Sequence, residues 1–90
     1  MQADHTILRT QPIAPEVKEY VVRATVIATK AKAGQFVIVR VAEDGERIPL
    51  TIADADAGAG TITLVVQEVG KTTIEMGRLG EGDALLDLIG

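Results

Sequence analysis

Apolar and polar residues alternate along most of this chain, and the alternation predicts strands. His5-Thr6-Ile7-Leu8-Arg9-Thr10-Gln11 reads as a first short strand, closed by Pro12 and Pro15. Over residues 17–28, Tyr20, Val22, Ala24 and Val26 alternate with Val21, Arg23, Thr25 and Ile27, the mark of a half-buried strand. Lys30-Ala31-Lys32-Ala33 has helix propensity, but a piece so short is unstable alone and Gly34 follows at once, so a connector is expected. Phe36-Val37-Ile38-Val39-Arg40-Val41 is apolar enough to predict at least partial cover on both faces. The turn Glu43-Asp44-Gly45-Glu46, with its Asp-Gly pair, predicts a hairpin that ties this strand antiparallel to residues 47–52.

In Arg47-Ile48-Pro49-Leu50-Thr51-Ile52, the residues Ile48, Leu50 and Ile52 share one face, and Arg47, Pro49 and Thr51 the other. A proline inside a strand lacks a ladder donor and belongs at an edge or a bulge, where the sheet is open to a ligand or another chain. Residues 53–60 read as a small polar loop. Its Asp54 and Asp56 begin like a calcium loop, but the later ligands and the closing glutamate are missing, so no metal site is expected. Residues 61–67 form a further amphipathic strand, with Ile62, Leu64 and Val66 inward and Thr61, Thr63, Val65 and Gln67 outward.

From Thr72 to Leu79 the apolar residues Ile74, Met76 and Leu79 have helical spacing, and Gly80 ends the run. Thr72 or Thr73 is the expected cap, and Glu75 stands at capping-box spacing from Thr72. Gly82-Asp83 then turns into a last strand over residues 84–89. Short strands, short links and no βαβ rhythm predict an all-β fold, a six-stranded antiparallel Greek-key β-barrel with one short helix.

A chain of 90 residues makes one domain and can bury a modest core without staples. Cysteine is absent, which removes disulfides and thiolate metal sites and is compatible with the cytoplasm. The net charge of -4, with basic residues scattered, argues against nucleic acid as a partner. Only Phe36 and Tyr20 are aromatic, so stacking platforms for bare bases are nearly lacking. No apolar run approaches a membrane span and no signal peptide is legible, so no membrane association is expected. His5, alone near the terminus, is read as a solvated side chain.

Two runs carry candidate chemistry. Gly70-Lys71-Thr72 looks like the end of a nucleoside-triphosphate loop, but the glycine required five positions earlier is Val65, inside a strand, so an ATPase is not expected. A helix start still presents unpaired amides that favour a phosphate, and Lys71 with two hydroxyls adds to that. Taken with Arg47 and Thr51, such a cluster suits a diphosphate flanked by two ring systems.

Gly34-Gln35-Phe36-Val37, Arg47-Ile48-Pro49-Leu50-Thr51-Ile52 and Val65-Val66-Gln67-Glu68-Val69-Gly70-Lys71-Thr72-Thr73 resemble, in that order and over nearly the whole chain, the FAD-binding barrel of the ferredoxin-NADP reductase superfamily. This is a riboflavin-synthase-like barrel. The resemblance is strongest to the small electron-transfer subunits of NADH-dependent reduced ferredoxin:NADP oxidoreductase and of dihydroorotate dehydrogenase. It implies FAD as cofactor, with Leu50 packed on the isoalloxazine and Thr51 near flavin N5. It further implies Arg47 at the pyrophosphate and Pro49 in the strand that lies along the cofactor. Val65, Val66 and Gln67 would face the flavin or adenosine part, and Gly70, Lys71, Thr72 and Thr73 the pyrophosphate, with Thr73 as the hydroxyl contact.

The sequence departs from the family pattern in two ways. The family's arginine stands three positions before the hydroxyl residue, where Ile48 is, whereas Arg47 stands four before. Family members also continue into an NAD(P)-binding α/β domain, and the electron-transfer subunits carry a cysteine cluster for a [2Fe-2S] centre; neither is present. Residues 1–90 are therefore expected to be the FAD-binding barrel of a flavin-dependent oxidoreductase, cut before a nucleotide-binding domain. The parent would move electrons between NAD(P)H and ferredoxin, iron-sulfur or flavin partners, with an iron-sulfur flavoprotein as partner subunit. The barrel alone, without a nicotinamide site, is not expected to turn over a pyridine nucleotide. The alternative from another class is a small barrel that acts as a protein-interaction module without cofactor, with Pro49 marking an edge open to strand addition.

Overall fold

The computed structural model describes residues 4–89, so Gly90, where the expected barrel ends, lies outside them. Six strands and two six-residue helices follow in the order β1 (Ile7–Ala14), β2 (Val17–Arg23), α1 (Thr25–Lys30), β3 (Phe36–Arg40), β4 (Ile48–Asp56), β5 (Thr61–Gln67), α2 (Lys71–Met76) and β6 (Asp87–Ile89). The strands lie side by side as β1-β2-β5-β4-β3-β6, all antiparallel, which is the Greek-key order expected. The curled sheet is not closed by a ladder, since β1 and β6 do not pair along their lengths. Its two ends are tied only by an isolated bridge, Thr6 to Ala84, flanked by Ile7 N donating to Asp83 O at 2.7 Å and Leu85 N donating to His5 O at 3.0 Å.

The alternation places its inward residues as expected wherever strands form. Ile62, Leu64 and Val66 of β5 are buried, with Tyr20 and Val22 of β2, Val37 and Val39 of β3, and Leu50 and Ile52 of β4. These aliphatic side chains fill the barrel, joined by Ile7, Met76, Leu85 and Leu88. The second face of β3 is partly covered, as expected, with Ile38 and Arg40 half-buried and only Phe36, 67 % exposed, left open at the strand start.

Several boundaries differ from the sequence reading, each for a local reason. The first strand is not closed by Pro12. It runs through that residue to Ala14, with Pro12 opposite Lys18, because β1 has a ladder only on its β2 side and needs no second donor there. The strand expected over residues 17–28 ends at Arg23, and Thr25–Lys30 is helix α1. Two supports start that helix: the Asp4 carboxylate accepts from Thr25 Oγ1 at 3.0 Å, and Ala28 N donates to Ala24 O at 2.8 Å. Val26, expected inward, is therefore 67 % exposed.

The loop expected over residues 53–60 is mostly strand, since β4 continues to Asp56 and only a tight turn remains. Gly60 closes the turn at φ +70°, where a Cβ would stand 2.9 Å from Thr25 Cγ2, so no other residue fits without strain. The last strand is shorter than residues 84–89, holding only Asp87–Ile89 against β3. The helix expected from Thr72 to Leu79 starts one residue earlier and stops at Met76.

Candidate functional site

β4 changes partner along its length, and that change makes a groove. From Ile48 to Thr51 it pairs with β3, whereas its pairing with β5 begins only at Ile52, opposite Leu64, and is bulged before Asp54. Residues 65–67 of β5 therefore have β2 on one side and no strand partner on the β4 side. Pro49 falls in the splayed part, where a missing amide costs no ladder bond to β5.

The cleft between the two strands has a volume of 510 Å³. Its walls are Ile48, Pro49 and Leu50 on one side and Val65, Val66 and Gln67 on the other. Val69, the start of α2 and Glu75 close one end, and the β3–β4 loop at Asp44, Gly45 and Glu46 also lines it. Of the residues singled out in the sequence, Pro49, Leu50, Val65, Val66, Gln67, Gly70, Lys71, Thr72 and Thr73 come together here. Asp44, Gly45, Glu46, Ile48, Val69 and Glu75 line the cleft as well and were not singled out. Ile48 was legible, since it shares a strand face with Leu50; the loop residues depend on how the hairpin folds over.

Arg47 and Thr51 are not among the lining residues. Arg47 donates from its guanidinium to Asp87 Oδ2 at 3.2 Å, an oxygen that Arg40 Nε also engages at 2.8 Å. Thr51 is exposed beside Leu50, with Phe36 as its register partner on β3.

The start of α2 is organised from within. Gly70 is the N-cap residue, and Thr73, in the helix, turns its hydroxyl back to accept from Gly70 N at 2.9 Å and Val69 N at 3.0 Å. The same hydroxyl donates to Gly70 O at 3.0 Å. Thr73 Oγ1 is thus fully engaged in its own loop, and the capping box expected between Thr72 and Glu75 does not form. Thr72 is buried instead. The amides of Lys71 and Thr72, in the first helical turn, have no carbonyl four residues back to bond within the helix.

The electrostatics of the lining are mixed. Lys71 is its one basic side chain, against the carboxylates of Asp44, Glu46 and Glu75. Among the described residues no group of three or more His, Cys, Asp or Glu is placed to hold a metal, and no helix is long and apolar enough to cross a membrane. The aspartates of the β4–β5 turn serve the backbone: Asp54 Oδ1 accepts from Ala55 N at 2.9 Å and Asp56 Oδ1 from Ala59 N at 3.0 Å.

Comparison with known proteins gives concordant relatives. No family model matches the chain. It is 42 % identical over 84 residues, 93 % of its length, to the dihydroorotate dehydrogenase B (NAD(+)) electron transfer subunit homolog of Thermotoga maritima, covering 30 % of that protein. It is 32 % identical over 82 residues, 89 % of its length, to the dihydroorotate dehydrogenase B (NAD(+)) electron transfer subunit of Streptococcus mutans, covering 31 % of it. An uncharacterised Clostridium beijerinckii protein encoded in the adh 3' region is 49 % identical over 77 % of this chain, which covers 23 % of that protein. Among solved structures, a chain of NADH-dependent reduced ferredoxin-NADP oxidoreductase, determined for insights into flavin-based electron bifurcation, superposes on the whole chain with a TM-score of 0.96 at 40 % identity. This chain covers 33 % of that one, and so spans about a third of the length of the relatives that share most of its own.

Proposed function

The chain belongs to the ferredoxin-NADP reductase superfamily, in the branch of the electron-transfer subunits, and from that premise we propose that the groove between β4 and β5 binds FAD. The single observation that carries this is the parting of β4 from β5 at Ile52, which opens a strand edge and brings Leu50 and the first turn of α2 to one cleft. The cleft volume of 510 Å³ falls within the roughly 300–1,000 Å³ of cofactor and small-molecule sites.

Each wall has a use for such a ligand. Ile48, Pro49 and Leu50 offer an apolar surface for a ring system, and the open edge at residues 65–67 offers main-chain donors and acceptors to a heterocycle. The free amides at Lys71 and Thr72 and the Lys71 ammonium suit the pyrophosphate. Thr51 does not line the cleft, and we assign it to the reactive edge of the flavin on its exposure next to Leu50, which does; Thr73 holds the shape of the phosphate loop. Arg47 reaches the diphosphate only by leaving Asp87.

Bound FAD supplies hydride and single-electron transfer; the barrel holds and orients it. We assign the whole protein the role of moving electrons between a pyridine nucleotide and iron-sulfur or flavin partners, with the chain as its FAD-binding portion. Such a flavin must be reached by donor and acceptor groups that the barrel does not itself carry, since the chain has no cysteine for an iron-sulfur cluster. The test is a titration of the purified barrel with FAD, followed by flavin fluorescence and the visible spectrum. Saturable quenching at one FAD per chain supports the assignment. Unchanged fluorescence and spectrum overturn it and leave the open β5 edge as a site for an added strand.

A further inference from the structure

Helix α2 spans six residues, too few for a helix to persist without tertiary support. Its first turn lines the groove, and its last turn is held from the other side of β5. Tyr20 OH donates to Met76 O at 3.0 Å, and Lys18 Nζ donates to Gly77 O. Both side chains belong to β2, where Lys18 lies opposite Val66 and Tyr20 opposite Leu64. The strand that backs the groove wall therefore also fastens the helix that closes its end. Neither residue lines the groove.

We propose that Tyr20 and Lys18 are positioning residues for the groove: by fixing the last turn of α2 they hold residues 70–73 in place and so set the affinity for a diphosphate cofactor. The proposal rests on the assignment of the groove to FAD. At the end of the helix Met76 O accepts from the phenol as well as from Leu79 N at 3.0 Å, and Gly77 O, just past the last turn, accepts from the ammonium. An ammonium at that end also meets the negative end of the helix dipole. The phenol remains a donor across the physiological range, because burial first, and the negative Glu68 second, push its pKa up to about 12. Glu68 in turn lies 3.9 Å from Lys18 Nζ and sits against Gly77, so an acidic partner stands beside the ammonium at the fastening.

The experiment compares the unsubstituted chain with Tyr20→Phe, Lys18→Met and Lys18→Arg. FAD affinity is measured by fluorescence titration, and amide hydrogen exchange is followed without FAD. Loss of one such hydrogen bond is expected to weaken FAD binding about 5- to 30-fold in Tyr20→Phe and Lys18→Met, with Lys18→Arg close to the unsubstituted chain. Exchange over residues 71–77 is expected to quicken in the two weakened variants, while amides of the β2–β5 ladder keep their rates. Lys18 is partly exposed, so its methionine variant keeps the test open if Tyr20→Phe loses the fold. FAD affinity unchanged in Lys18→Met overturns the proposal and leaves the FAD assignment standing. Failure of the unsubstituted chain to bind FAD overturns both.

Discussion

Thr73 Oγ1 accepts a hydrogen bond from Gly70 N at 2.9 Å and returns one to Gly70 O at 3.0 Å, so a threonine one turn into α2 closes the loop that leads into it. Serine at this position keeps both bonds, and valine keeps only the shape. Thr73→Val is expected to lower stability by about 1 kcal/mol and to weaken FAD binding, with Thr73→Ser near the unsubstituted chain in both. Urea unfolding and FAD titration on the same preparations check this.

The buried Tyr20 phenol gives stability a dependence on alkaline pH. Its pKa is about 12 in the folded chain against 10.0 when unperturbed, so between these values the folded state holds a proton that the unfolded state has lost. The contribution is complete below pH 10 and is lost as pH rises toward 12, on the order of 2 to 3 kcal/mol in all. Urea midpoints measured at pH 9 and about pH 11.5 are expected to fall further in the unsubstituted chain than in Tyr20→Phe.

Gly77 has an ordinary helical φ of -62°, where alanine is normally the better residue. Here the added Cβ overlaps the Glu68 carboxylate, the far end of a flexible side chain that swings aside, and comes within 3.2 Å of Ile74 O, so the usual gain is offset. Gly77→Ala is expected to change stability by less than about 1 kcal/mol, since Glu68 gives up its place beside Lys18, and to become stabilising when Glu68 is alanine as well. A double-mutant cycle in urea measures the coupling.

Lys71 and Arg47 differ in what they are free to do. Lys71 lines the groove and pairs with no carboxylate among the described residues, whereas Arg47 shares Asp87 with Arg40. Lys71→Ala is expected to weaken FAD binding by about 1 kcal/mol, close to sixfold, and Arg47→Ala by less. Asp44→Asn, which removes one of the carboxylates lining the groove, is expected to tighten FAD binding by up to about 0.5 kcal/mol at low salt. Titrations at two salt concentrations decide both.

What was legible in the chain follows from where one period governs. β5 matches the expected residues 61–67 because alternation, flanking turns and composition agree there, and Ile62, Leu64 and Val66 are all buried. Helix α1 was obscured by its β-branched residues, which continue the period of two past Arg23. Yet Ala24, Ile27, Ala28 and Ala31 have helical spacing, and these are the residues that pack on the core. The groove was legible as two runs, around Pro49 and around Gly70. That they meet was expected from their shared phosphate chemistry and from Pro49 as the mark of an open edge, and both runs do line one cleft; what was hidden is the means, β4 exchanging β5 for β3 at Ile52, a long-range pairing choice. The Thr73 bond to Gly70 was likewise hidden, since Thr72 and Glu75 offered an equally good cap on paper.

The most direct test of the account is an amide NMR map of the labelled barrel titrated with FAD. The account predicts shifts concentrated at Leu50, Thr51, Val65, Gln67 and residues 70–73, with the amides from Val26 to Lys30 unmoved. Shifts centred on Val26 to Lys30, or none at saturating FAD, would contradict it.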